Sequence, residues 1–170
     1  MLDTEHRLKK LEDRAALQDL VVRYFLAADD DDYATLADIF ADDAAFSVSG
    51  HVCGEGRDAV MAFLCGERQN MGITIHTHNS TLFNFQNDDH ATGVVSAHLE
   101  MARGGHTLYG AVRYYDEYIR EADTWRIRKR NMLVIHVGPW ENVGTSLTDS
   151  NTVRWPGLPP QPSDMPKKRG

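Results

Sequence analysis

The 170 residues suit one domain of ordinary size with a tail left over, and 42% hydrophobic with 25% charged content is the composition of a folded globular protein. A formal net charge of −7 excludes the basic stripes that nucleic acid or an anionic membrane surface requires, and the basic runs at 126–130 and 167–169 lack interleaved stacking aromatics. Cys53 and Cys65 make neither a disulfide framework nor a zinc signature, no apolar stretch is long enough to span a bilayer, and the charged N-terminus is not a signal peptide, which together predict a cytoplasmic protein.

The first predicted element is a long helix over residues 4–28, capped by Thr4 or Asp3. Leu8, Leu11, Ala15, Leu17 and Leu20 are assigned to its apolar side, and Lys9, Lys10, Glu12 and Asp13 to water. Leu17, Leu20, Val21, Tyr24 and Ala28, at spacings of three and four, form one stripe. Asp29 lies just past that stripe, so the Tyr24 phenol and the Asp29 carboxylate are expected to face one interior space. Four consecutive aspartates follow, with Asp30 expected in water and Asp31 or Asp32 as N-cap of a second helix over 33–40. Residues 42–50 alternate as a strand, and Gly54, Gly56 and Arg57 turn the chain into a third helix over 57–69 with Val60, Phe63 and Leu64 inward.

From residue 73 the texture changes to strands. Segments 73–85, 91–103, 107–120 and 124–137 are rich in Val, Ile, Thr, Tyr and Phe and are separated by short turn-forming loops. Helices first and strands later predict an α+β fold: three N-terminal helices on a strongly bent, mostly antiparallel sheet that encloses an apolar pocket. The domain is expected to occupy residues 1–140, with 141–170 a proline-rich extension anchored by Val153, Trp155 and Leu158 and loose over 167–170.

Polar residues inside apolar segments are the candidates for chemistry. His76 and His78 are two apart and share a strand face, and His98 lies in the next strand; His136 ends the last one. Three readings stand side by side: a metal pair completed by His98, His136 or Asp29, histidines bonded within the sheet, and His76 as a general base held by a carboxylate. Arg126, Arg128 and Arg130 are read as sharing one strand face, with Arg130 a site residue or a surface one. Ala27, Val48, Phe63, Leu82, Val94, Met101, Val112, Met132 and Val134 are the expected cavity walls.

The segment RAALQDLVVRYFLAADDDDYATLADIF, the strand TIHTHNSTLFNF and the terminal DTWRIRKRN together resemble the SnoaL-like branch of the NTF2-like, cystatin-like superfamily. The resemblance is nearest to its scytalone dehydratase, bile acid dehydratase and hexachlorocyclohexane dehydrochlorinase group and runs over residues 8 to 140. It implies a cofactor-independent lyase in which His76, oriented by Asp29, removes a proton from carbon. Tyr24 then aids the leaving group and Arg130 stabilises negative charge. His78, His98, Phe63 and Met132 fall to substrate binding, with no metal or cofactor assigned. Ser80 stands where the dehydrochlorinase has Asn, and His78 has no counterpart there. The implied partner is a small, apolar, cyclic molecule, and the implied assembly is a homo-oligomer, a trimer before a dimer. Two other activities sit on the same fold: a proton shuttle of the ketosteroid isomerase or polyketide cyclase kind, and a non-catalytic assembly subunit like the β subunit of ring-hydroxylating dioxygenases.

Overall fold

The computed structural model describes residues 4–165; Asp3 and the tail 167–170, both named above, lie outside the described residues. Helix α1 (Thr4–Asp29) is followed by α2 (Tyr33–Ile39), the strands β1 (Phe40–Val48) and β2 (His51–Glu55), and α3 (Arg57–Arg68). Four long strands complete the domain: β3 (Met71–Phe85), β4 (His90–Arg103), β5 (His106–Glu121) and β6 (Thr124–Pro139), with a 3-10 helix at Trp140–Thr145. The sheet order is β2-β1-β6-β5-β4-β3, antiparallel throughout except for the parallel pair β1–β6. This is the expected α+β architecture. The short strand β2 departs from the turn expected at Gly54, because Ser49 and Gly50, both at positive φ, make a hairpin earlier. Gly54 then lets β2 meet α3, because a Cβ there would stand 2.8 Å from the backbone of Ala59 and Val60.

The core lies between the helices and one face of the sheet, built on Leu17, Val21, Phe40, Phe46, Val60, Val95, Leu108 and Ile127. The start of α1 departs from the expected pattern. Leu11 is 64% exposed and Leu8 and Ala15 are also exposed, whereas Asp13 is buried. Six residues at 100° each set Leu11 about 120° from Leu17, but Asp13, one turn before Leu17, lies on the stripe. Its carboxylate is satisfied by Arg120 and by Trp125 Nε1 at 3.2 Å.

Bulges decide which side chains face inward. The register of β3 against β4 shifts between His78 and Ser80. Before it, Thr74 and His76 turn toward the helices; after it, Phe83 does, so the inward positions change from even to odd. A second shift, between Glu117 and Tyr118 opposite Lys129 and Ile127, does the same on β6. Ile127 and Arg130 are therefore both buried, and the arginines of this strand do not share a face as expected. Arg126 and Arg128 instead pair with Asp38 and Asp43.

Candidate active site

The four aspartates separate into distinct tasks. Backbone bonds from Asp30 to Leu26 and from Asp32 to Ala27 close α1, and Asp31 reverses the chain at φ 56°. Asp32 is the N-cap of α2, accepting from Thr35 N at 3.0 Å, and Asp30 is exposed. Asp31 holds Arg68 at the end of α3 through Nε at 2.6 Å and Nη2 at 3.2 Å. Asp29, the last residue of α1, turns inward to β3.

Asp29 meets His76 twice: Oδ1 lies 2.6 Å from the ring Nδ1, and Oδ2 accepts the His76 backbone N–H at 2.7 Å. Thr74 Oγ1 donates to Oδ1 at 2.8 Å. Both side chains are mostly shielded, His76 at 16% and Asp29 at 17% exposure. Burial alone would raise the Asp29 carboxyl, but the bonds from His76 and Thr74 hold it below the usual carboxylate range. An ionised carboxylate only accepts, so Nδ1 carries a ring proton, and in the neutral ring Nε2 is then the nitrogen with the lone pair. The imidazole is stacked on Phe25, with centroids 5.2 Å apart and planes at 18°.

His76 forms part of the wall of a cavity of about 410 Å³ between the helices and the sheet. Tyr24, Phe63, Met132, Val112, Val134 and Leu99 also line it, and Trp155, Pro156 and Leu158 from the C-terminal extension contribute to the wall. The wall is mostly apolar, and Arg68, Thr74 and the Glu67–Arg103 ion pair at 3.0 Å add to Tyr24 and His76 as its polar groups, the usual form of a small-molecule site. Burial pushes the Tyr24 phenol up, against the opposing positive charge of Arg130, so it remains a neutral hydrogen-bond donor.

Arg130 is buried behind this wall, outside the cavity lining. Its Nε and Nη2 donate to Asp116 Oδ1 and Oδ2 at 2.9 and 2.7 Å, and its Cζ lies 4.1 Å over the Tyr24 ring and 4.6 Å over Tyr114. Tyr118 donates to Asp116 at 2.6 Å. The guanidinium therefore backs the Tyr24 ring, and a molecule in the cavity meets Tyr24 first.

Two expected binding residues are elsewhere. His78 is exposed, bonded to Thr81 Oγ1 at 2.5 Å, and His98 stacks on Tyr109 and bonds Asn79 on the opposite face of β4 from Leu99. His76, His78 and His98 do not converge. Of the expected walls, Ala27 is packed in the core and Ala28 lines the cavity in its place, while Leu82 and Val94 face away, Leu82 being 68% exposed because the bulge puts Phe83 inside. They border a depression of about 440 Å³ on the outer sheet face that also carries Lys129 and Glu117, which pair at 3.1 Å. It does not hold His76, which lines the inner cavity, so the inner cavity is the candidate site.

Three polar residues went unnoticed in the sequence. Thr74 could have been found from its position two before His76, which puts both on one face. Asp116 carried a signal too: in the alternation Tyr114, Asp116, Tyr118 an inward acid requires a buried cation. Arg68, at the end of a helix, carried none.

Comparison with known proteins agrees with the fold. The SnoaL-like domain family matches residues 9–131, whereas no curated protein matches the sequence. Among solved structures, LinA is similar at 25% identity over 81% of this chain and 95% of that chain, with a TM-score of 0.74. The hexachlorocyclohexane dehydrochlorinase LinA-type3 of Novosphingobium barchaimii aligns at 24% identity over 81% and 96%, also at 0.74. A presumptive scytalone dehydratase from Novosphingobium aromaticivorans aligns at 17% over 78% and 90%, at 0.72. For these last two the likeness is one of fold. No helix among the described residues is long and apolar enough to cross a membrane.

Proposed function

The chain belongs to the SnoaL-like domain family, and on that premise we propose that it is a cofactor-independent lyase acting on a compact, largely apolar cyclic molecule. The observation that carries the reading is the 2.6 Å contact between His76 Nδ1 and Asp29 Oδ1 on the wall of an apolar cavity shared with Tyr24. His76 Nε2 takes a proton from the carbon next to the one bearing the leaving group; the C–H pair becomes the new C=C bond and the bond to the leaving group breaks. Asp29 stabilises the imidazolium that forms. Tyr24 donates a hydrogen bond to the departing atom. A departing hydroxide takes the proton back from His76 and leaves as water, which restores the neutral ring; a halide leaves as the anion and the imidazolium releases its proton to solvent.

An assembly subunit would have no need of a base and its carboxylate at the edge of an open cavity, which favours the catalytic reading. The test is a panel of cyclic alcohols and halides with an acidic neighbouring C–H, followed by mass spectrometry with wild type and His76→Ala. Wild type is expected to release water or hydrogen halide, and the variant to lose roughly 10²- to 10⁴-fold in rate while keeping a folded circular dichroism spectrum. A product of unchanged mass would reassign the dyad to isomerisation. Full turnover by His76→Ala would overturn the assignment.

A further inference from the structure

We infer that Thr74 and Arg68 are positioning residues for the Asp29–His76 pair, anchored from outside by Asp31; the inference rests on the reading of that pair as the catalytic base. The four residues beyond His76 form one continuous line of hydrogen bonds. Asp31 grips Arg68 through two nitrogens, Arg68 Nη1 donates to Thr74 Oγ1 at 2.9 Å, and Thr74 Oγ1 donates to Asp29 Oδ1 at 2.8 Å.

The direction of this line is fixed by chemistry. A guanidinium only donates, so Thr74 must accept from it, and the single hydroxyl proton is left for Asp29. A hydroxyl without the arginine could rotate to another acceptor. With it, Asp29 receives three donors, the Thr74 hydroxyl, the His76 ring and the His76 backbone N–H, and its carboxylate plane is set by them. The plane of Asp29 in turn sets the plane of the imidazole, whose other face is fixed by Phe25. Small errors in such an orientation are costly: a displacement of about 1 Å costs about 100-fold in rate.

The anchor is built from the turn after α1 and the end of α3. Asp31 adopts a left-handed conformation, uncommon outside glycine but tolerated by aspartate, and so presents both oxygens to Arg68. Tyr33 adds a hydrogen bond to Asp31 Oδ1 at 3.2 Å. Arg68 ends α3, where a cation suits the helix dipole, and its side chain lines the cavity and is only 13% exposed. The line thus ties the ends of α1 and α3 to β3 at the base itself.

The test compares Thr74→Val, which keeps the shape and removes the hydroxyl, with Thr74→Ser, which restores it, and with Arg68→Met. Two readouts are used: the hydrogen-bonded Nδ1–H resonance of His76 by NMR, and kcat and KM on a substrate from the panel above. Thr74→Val and Arg68→Met are expected to shift or broaden that resonance and to lower kcat about 10- to 100-fold with KM nearly unchanged. Thr74→Ser is expected to recover both. An unaltered resonance and kcat in Thr74→Val would overturn the inference. Asp29→Asn separates this failure from that of the underlying reading: loss of the resonance there means the pair stands without its anchor, whereas a wild-type spectrum means the pair itself is wrong and the inference fails with it. If Thr74→Val does not fold, Asp31→Asn on the exposed end of the line carries the same two outcomes.

Discussion

Replacing Asp116 with asparagine removes the counter-ion of a cation that has no access to water. Both side chains of the Arg130–Asp116 pair are 0% exposed, and two hydrogen bonds of 2.9 and 2.7 Å join them. Losing one partner of such a pair costs about 3–5 kcal/mol, because the remaining charge stays buried. The faces of Tyr24 and Tyr114, at 4.1 and 4.6 Å, offset on the order of 1–2 kcal/mol of that charge, but they do so with and without Asp116 and do not reduce the difference. In a domain of this size each kcal/mol moves the midpoint by about 2–4 °C, so Asp116→Asn is expected to melt roughly 10 °C lower. Urea titration of the single variant and of Asp116→Leu combined with Arg130→Met gives the comparison. The double variant buries no charge but leaves the Tyr118 hydroxyl without its acceptor, and it is expected to regain part of the loss. A single-variant loss below about 1 kcal/mol, or a double variant less stable than the single, would refute the account of this pair.

Asp13→Ala leaves the Trp125 N–H without its acceptor and removes one acceptor of Arg120, which keeps Asp88 O and Asp89, and is expected to cost about 1–3 kcal/mol, read by the same titration. Asp13 and Asp29 are both held below the usual carboxylate range in the folded chain, against the pull of burial, by their hydrogen-bond donors. Their stabilisation is therefore present above the unfolded value of about 4 and is lost as pH falls through the folded values; melting temperature should drop below about pH 4, and less steeply in Asp29→Asn. Met132→Trp fills part of the 410 Å³ cavity and should weaken binding of an apolar fluorescent probe while the fold persists, checked by titration and circular dichroism.

The elements were legible because their signals are local. Period in the helices, β-branched runs in the strands and turn residues between them set the order α1 to β6, and the aspartate run marked the end of α1. The facing of individual residues was less legible, and bulges are the reason. A strand read with unbroken alternation puts Leu82 with His76 and groups Arg126, Arg128 and Arg130; one extra residue in each strand reverses both assignments. Nothing in composition marks where such a residue falls. The contact between Asp29 and His76 was accessible from the sequence through the stripe on α1 and the family resemblance, whereas the Arg68 link to Thr74 joins a helix end to a strand and leaves no periodic trace. The exposed Leu8 and Leu11 show the converse: they are apolar and regularly spaced, but Leu11 stands about 120° around the helix from Leu17 and so faces water.

The central claim is that His76 and Asp29 act as one catalytic unit, and a double-mutant cycle on kcat/KM tests it most directly. His76→Ala, Asp29→Asn and the double variant are compared with wild type on one substrate. A unit predicts that the double variant is no slower than His76→Ala alone, since Asp29 has nothing left to orient. Losses that multiply, or an Asp29→Asn variant with wild-type kcat/KM, would contradict it.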